Sequence, residues 1–259
     1  MEEKIQQARI LMDALPYIRL FNKKTIVIKY GGSAQEVPAL REKFTQDVVL
    51  LYLVGIKPII VHGGGKKINN LLDRLSINSH FVDGLRVTND EIMEVVEMVL
   101  GGHINKEITN LLNFNGAKAI GITGKDASFM QARALENGKY GLVGEITHVR
   151  RSVIDDLVAQ NFIPVIAPIA AGGINHPGFN VNADLAASEI AVALNAEKII
   201  FLTDTTAILD KDKNLLSVLT QEDIKALKRN GTIHGGMIPK TDACLASLQG
   251  GVKSAHIID

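Results

Sequence analysis

The chain of 259 residues has a single cysteine, Cys244, and no tryptophan. One cysteine excludes an intrachain disulfide, and with it the disulfide-stapled secreted scaffolds. Aromatic residues make up 5%, a poor basis for stacking-based RNA recognition. No charge of one sign dominates: Lys+Arg and Asp+Glu both number 28. The basic field that nucleic-acid binding needs is therefore missing, and no nucleic-acid partner is expected. The longest apolar-rich stretches, 48–56 and 163–174, are too short to span a bilayer. Met1-Glu2-Glu3-Lys4 has no long apolar run behind it, so no secretory signal or membrane partner is expected, and a reducing cytoplasm is the default. The seven histidines show no metal-ligand spacing. Cys244, near Leu245 and Leu248, reads as a buried thiol.

Apolar residues reach 46% and charged residues 22%, ordinary for a globular protein and incompatible with global disorder. Ile5, Ala8, Leu11, Met12 and Leu15 form one helical stripe that Pro16 is expected to end. That helix packs either on its own domain or on a partner. From residue 25 the pattern alternates. Short β-branched runs at 25–30, 58–62, 117–122, 163–167 and 198–202 are separated by helical stripes, such as Leu40, Phe44, Val48 and Leu51, or the apolar stretch 183–194. Strand and helix in alternation imply an α/β fold with a largely parallel sheet. The stretch 126–149 has no helical period and carries Gly138, Gly141 and Gly144, so β-hairpins are expected there. No linker is visible. Asn195-Ala196 is the best boundary candidate, dividing the chain into 1–195 and 196–259.

In α/β sheets ligands bind beyond the carboxyl ends of strands. Two early strands end in glycine clusters, Gly31-Gly32 and Gly63-Gly64-Gly65, whose amides can face an anion. Neither cluster matches the P-loop or the dinucleotide fingerprint. Lys29 lies inside a run of Ile and Val, a costly place for a charge unless the charge is used or reaches water. Asn182 reads as a helix cap and Asp184 as a first-turn acid, though Asn180, Asn182 and Asp184 together could also grip a substrate. Gly235-Gly236-Met237 opens a helix that carries Lys240 near its start, where a cation is unfavourable unless a phosphate sits there. Thr203-Asp204 follows a strand and is either a turn or a nucleotide contact.

Together these segments resemble the amino acid kinase family. The resemblance rests on Ile28-Lys29-Tyr30-Gly31-Gly32-Ser33-Ala34, Val61-His62-Gly63-Gly64-Gly65, Asp83-Gly84-Leu85-Arg86-Val87-Thr88, Asn180-Val181-Asn182-Ala183-Asp184, Leu202-Thr203-Asp204 and Gly235-Gly236-Met237-Ile238-Pro239-Lys240. It is strongest with the branch that phosphorylates N-acetyl-L-glutamate. Ala14-Leu15-Pro16-Tyr17-Ile18-Arg19 resembles the extra helix of that branch's arginine-sensitive, hexameric members. Two departures stand out. Thr205-Thr206-Ala207 occupies a place where the family often has a glycine. The sequence also stops at His256-Ile257-Ile258-Asp259, where members continue with a segment that contributes to arginine binding. Either the sequence is cut short or its inhibitor site is incomplete.

The resemblance implies a three-layer αβα sandwich with an open, largely parallel sheet. It also implies an N-terminal helix with an acetylglutamate-binding and dimerisation domain at 1–195 and an ATP-binding domain at 196–259. The implied reaction is ATP-dependent phosphorylation of the substrate's γ-carboxylate, with Mg2+ carried on ATP and no protein metal ligand. A carboxylate is already ionised at neutral pH, so no general base is needed. Lys29, Lys240 and Asp184 are the implied catalytic residues, with Asp184 orienting the two lysines. Gly63, Gly64, Arg86, Asn180 and Asn182 would bind the substrate. Gly31, Gly32, Thr203, Asp204, Gly235, Gly236 and Met237 would bind the nucleotide. Implied partners are arginine as a feedback inhibitor and further copies of the chain, as a homodimer or a trimer of dimers joined through the N-terminal helix. The alternatives are a related kinase acting on another carboxylate such as aminoadipate, and a non-catalytic arginine-binding module.

Overall fold

The computed structural model describes residues 2–203, 208–210 and 214–259. The chain opens with α1 (Glu2–Phe21) and enters β1 (Thr25–Tyr30). A short α2 (Ser33–Glu36) and α3 (Pro38–Leu53) lead to β2 (Lys57–His62) and α4 (Gly65–Arg74). The hairpin β3 (Phe81–Val82) and β4 (Leu85–Arg86) precedes α5 (Asp90–Glu97). A π-helical stretch, Met98–Ile104, joins α5 to α6 (Asn105–Phe114), which leads to β5 (Ala119–Thr123). A second hairpin, β6 (Met130–Ala134) with β7 (Gly144–Val149), lies within the stretch that lacked helical period. Then follow α7 (Arg151–Ala159), β8 (Ile163–Ala167), the small ladder β9 (Ile169–Ala170) with β10 (Phe179–Asn180), and α8 (Ala183–Ala193). The chain closes with β11 (Lys198–Leu202), α9 (Gln221–Arg229), α10 (Met237–Gln249) and β12 (Ser254–Ile258). Among the described residues no helix is long and apolar enough to cross a membrane.

Six strands form one sheet in the order β12-β11-β1-β2-β8-β5, and every neighbouring pair is parallel. The sheet runs without a break across the Asn195-Ala196 junction, because β11 pairs directly with β1. Helices cover both faces, giving the three-layer α/β sandwich. Strand side chains alternate between the faces. Ile26, Ile28 and Ile60 pack with residues of α3, α4, α5 and α6 on one side. Val27, Ile59, Val61, Ile199 and Phe201 pack with α7, α8 and α10 on the other. This parity decides where the polar strand ends go. Lys29 shares the face of Val27 and points toward α8 and α10, whereas His62 shares the face of Ile60 and points toward α6.

α8 and α10 approach closely because small residues meet between them. The Ser188 and Ser247 hydroxyls lie 2.8 Å apart, and Ser188 also donates to the Ala243 carbonyl at 3.2 Å. Cys244 is buried beside this contact, and burial pushes its thiol up to about 12.

Pro16 does not end the first helix, contrary to the sequence expectation; α1 continues to Phe21 with the proline inside it. Proline removes the N–H that would bond the Met12 carbonyl. Met12 is exposed, so water can take that bond and the helix need not stop. Most of the stripe is uncovered among the described residues: Ile5, Leu11 and Met12 are exposed, Leu11 at 70%, and Leu15 is half-buried.

Candidate functional site

β1 and β2 are parallel neighbours with Tyr30 opposite His62. The glycine clusters that follow them therefore emerge side by side at the carboxyl edge of the sheet, and the Gly63 amide donates to the Tyr30 carbonyl at 3.0 Å. Gly31 has a steric reason to be glycine. A Cβ there would stand 2.8 Å from the Lys29 Nζ, so any side chain would push the ammonium aside.

Lys29 and Asp184 are both largely buried, 8% and 7% exposed. The Lys29 Nζ lies 3.0 Å from one carboxylate oxygen of Asp184 and the Lys240 Nζ lies 3.2 Å from the other. Asp184 is placed by the start of α8, where the Asn182 side-chain oxygen caps the helix by accepting from the Asp184 and Leu185 amides at 2.8 and 3.2 Å. Lys240 comes from the first turns of α10, brought within reach by the small-residue contact with α8. Burial would raise the Asp184 carboxyl, but the two ammonium groups outweigh it and hold the acid below its ordinary value. For Lys29, burial and the nearby Lys240 lower the ammonium against the pull of Asp184. One carboxylate thus faces two cations, which leaves one positive charge in excess at the strand ends.

A cavity of about 380 Å³ reaches Ala183, the residue before Asp184, and Gly63, Gly64, Arg86, Asn180 and Asn182 all line it, whereas the three charged residues do not. The start of α4 at Gly64 and Gly65 forms one wall, giving the cavity the partly positive end of a helix. Arg86 forms another. It is 6% exposed, and its guanidinium donates to Ser79 Oγ at 2.8 Å, Asn69 Oδ1 at 2.6 Å and the Gly65 carbonyl at 3.3 Å. The Phe81 ring centroid is 4.7 Å from the guanidinium carbon, a cation–π contact. Every one of these partners is neutral, and among the described residues no carboxylate pairs with Arg86. Taking such an ion out of water costs several kcal/mol, whereas a hydrogen bond to a charged group contributes about 1.5–3 kcal/mol. The balance is close without an anion and clearly favourable with one. Three of the five N–H donors are committed to the protein, so the rest can serve a ligand.

Asn180 donates to Thr88 Oγ1 at 3.2 Å, and Thr88 in turn donates to the Arg86 carbonyl at 2.8 Å. This chain ties the far wall of the cavity to the hairpin that carries Arg86. Ser79, Asn69 and Thr88 were not among the candidate site residues and act through Arg86 and Asn180; Thr88 closes the 83–88 segment, whereas Ser79 and Asn69 lie outside every segment that carries the resemblance.

The nucleotide candidates are spread more widely. Gly31 and Gly32 follow β1, with Gly32 at φ 65°, a conformation that favours glycine. The Thr203 amide follows β11 and donates to the Ile258 carbonyl at 2.9 Å. Gly235 and Gly236 precede α10, and Met237 begins it. Asp204, with Thr205-Thr206-Ala207, lies outside the described residues.

The chain is similar to known proteins along nearly its whole length. The acetylglutamate kinase of Sulfurimonas denitrificans is 60% identical over the whole of this chain and 92% of its own length. That of Campylobacter curvus is 58% identical with the same coverage. Among solved structures, a protein from Streptococcus mutans UA159 superposes with a TM-score of 0.83 at 29% identity, covering 92% of this chain and 95% of that one. Carbamate kinase from Giardia lamblia bound to AMP-PNP shares the fold at a TM-score of 0.72 and 17% identity, over 91% of this chain and 92% of its own. The sequence pattern of the amino acid kinase family matches residues 24–259, and the chain belongs to that family.

Proposed function

We propose that the protein transfers the γ-phosphoryl group of ATP to the γ-carboxylate of N-acetyl-L-glutamate, an early step toward arginine. The observation that carries this reading is the buried, carboxylate-free Arg86 in a cavity next to the Lys29–Asp184–Lys240 trio. It offers one cation for a dicarboxylate's spectator group and two for a transferring phosphoryl group. Sequence identity of 60% over the full chain to an acetylglutamate kinase supports the choice of substrate.

The nucleophile is an ionised carboxylate, so the obstacle is anion–anion repulsion, not proton removal. Positioning and charge stabilisation of an in-line transfer meet that obstacle. Arg86 donates to one substrate carboxylate through the N–H groups that Ser79, Asn69 and Gly65 leave free, and Asn180 and Asn182 contact the opposite end. Lys29 neutralises charge on the phosphoryl group in flight, and Lys240 does so on the departing ADP. Asp184 holds both lysines in place without taking a proton. The Gly31, Gly32 and Gly64 amides face phosphoryl oxygens, while Gly63, its amide held by the Tyr30 carbonyl, lines the substrate cavity. Thr203, Asp204 and the Gly235-Gly236-Met237 turn cradle the nucleotide, for which 196–259 is the proposed domain. Both oxygens of Asp184 are engaged by lysines, so Mg2+ is held by the phosphates of ATP and by water.

The exposed stripe of α1 is the surface for a second copy of the chain. A two-fold helix pair is self-complementary, and it would join dimers into a hexamer. Arginine acts as feedback inhibitor at a site that this helix helps to form.

Hydroxylamine trapping tests the reaction. The protein with MgATP and N-acetyl-L-glutamate should yield a hydroxamate in step with ADP. A hydroxamate formed from 2-aminoadipate but not from N-acetyl-L-glutamate would favour the sister kinase, and ADP without hydroxamate would remove acyl phosphate formation.

A further inference from the structure

A buried polar cluster lies beneath the second glycine loop, and none of the roles above uses it. His62, at the end of β2, has no solvent exposure, nor does Asn105, and Gln35 has little. The Asn105 Nδ2 donates to the Val165 carbonyl at 2.8 Å, and its Oδ1 accepts from the Lys106 ammonium at 3.1 Å. Those two contacts fix which way the amide faces. The same Nδ2 lies 3.2 Å from His62 Nε2, and an amide N–H can only donate, so Nε2 must accept. The imidazole proton therefore sits on Nδ1, which is 3.1 Å from the Gly63 carbonyl and donates to it. Burial holds the ring neutral, with its value lowered to about 4. Gln35 Nε2 donates to the same Gly63 carbonyl at 3.2 Å and to the Tyr30 carbonyl at 3.0 Å.

Two donors thus converge on one carbonyl from the core side. A trans peptide is planar, with its N–H opposite its C=O. Locking the Gly63 carbonyl toward the core therefore turns the Gly64 amide the other way, and Gly64 lines the cavity. The backbone cannot easily rotate or retreat here. A Cβ on Gly64 would stand 2.2 Å from Ile104 of the π-helical stretch, and one on Gly121 would stand 1.9 Å from Asn105 Oδ1. π-Helical insertions often mark functional positions, and this one ends at the residue before Asn105.

We propose that His62, Gln35 and Asn105 are positioning residues that aim the Gly64 amide at the oxygens of the reacting carboxylate and phosphoryl group. The proposal rests on the reaction given above. An amide donor aimed before reaction stabilises developing charge without reorganising, and losing such a donor outright costs about 10²–10³-fold in kcat. Misaiming it should cost less.

The test compares His62→Asn, His62→Leu and Gln35→Met under saturating MgATP and N-acetyl-L-glutamate. Asparagine places an N–H close to the position of Nδ1, whereas leucine places none. The expected result for His62→Leu is a fall in kcat of about 10–100-fold, with KM for both substrates within about twofold. His62→Asn should recover most of that loss, and Gln35→Met should show the same kcat-only pattern more weakly. Equal losses in the asparagine and leucine variants, or losses confined to KM, would overturn the proposal. Should His62→Leu fail to fold, the asparagine and methionine variants decide alone: the first near wild type, the second reduced. A second readout needs no turnover. The ¹⁵N resonances of His62 in the wild-type protein should show the proton on Nδ1 throughout pH 6–8, and a proton on Nε2 would overturn the proposal. A wild-type protein inactive on N-acetyl-L-glutamate, but with the Nδ1 tautomer in place, would instead remove the substrate reading and leave the aimed Gly64 amide standing.

Discussion

Arg86 and Lys240 both bring positive charge to the carboxyl edge of the sheet, and the molecule holds them in opposite ways. Arg86 sits among neutral acceptors with a ring beneath it and, among the described residues, no carboxylate paired with it. Lys240 shares Asp184 with Lys29. Its helix is flanked by a small satellite core of Ile208, Ile224, Ile233 and Leu245, far smaller than the two main clusters that pack against the sheet. An uncompensated buried cation is a standing demand for an anion, whereas a half-compensated one can adjust as charge moves. The first suits a substrate group that only binds. The second suits a phosphoryl group whose charge shifts during reaction.

The largest loss should come from the compensated pair. Lys29→Ala and Lys240→Ala should each lower kcat about 10²–10³-fold, in the range for losing one stabiliser of developing charge, with the fold intact by circular dichroism. Wild-type turnover in Lys29→Ala would remove Lys29 from the reaction. Asp184→Asn should come close behind, because it frees both ammonium groups; a change in KM alone would show that Asp184 does not organise them.

Arg86→Lys should act on binding. Lysine keeps the charge but not the planar fork, so KM for N-acetyl-L-glutamate should rise about tenfold or more, while KM for ATP changes little. A rise confined to ATP would move Arg86 to the nucleotide side and dissolve the contrast.

A pH profile sharpens the same contrast. Burial and the neighbouring Lys240 lower Lys29, against the attraction of Asp184. The active form is the ammonium, so kcat should be flat through neutrality and fall on the alkaline side below the ordinary lysine value of about 10.4. Lys29→Arg should move that limb upward wherever activity survives. A limb unmoved by Lys29→Arg would assign it to another group.

The smallest effect on chemistry should come from deleting 1–21. Turnover should persist while sedimentation shows a smaller particle and arginine inhibition weakens. An unchanged mass would mean that the stripe of α1 has no partner copy.

Much of this arrangement was legible in the sequence where local chemistry is strong. β1, β8 and β11 fall on the runs 25–30, 163–167 and 198–202, because β-branched residues bounded by glycine or polar turns have few other uses. The grouping of Lys29, Asp184 and Lys240 came from resemblance; the residues alone favoured a cap for Asn182, and Asn182 does cap α8. What holds Arg86 was not legible. Ser79 and Asn69 lie 7 and 17 positions away and reach it only through the β3–β4 turn and α4. β12 escaped notice because an edge strand of half-exposed residues carries no continuous apolar run. Pro16 misled because a proline costs a helix one hydrogen bond and a clash with the carbonyl four residues back, yet need not end it where that carbonyl can turn toward water. His62 was visible as a polar residue closing a buried strand, but its partner Asn105 follows a π-helical stretch that breaks the 3.6-residue period on which such a pairing could be read.

Calorimetric titration of N-acetyl-L-glutamate into nucleotide-free protein tests the uncompensated Arg86 most directly. Saturable binding is expected without ATP, lost in Arg86→Ala and weakened in Arg86→Lys. Binding that appears only once a nucleotide is present, or that survives Arg86→Ala unchanged, would contradict it.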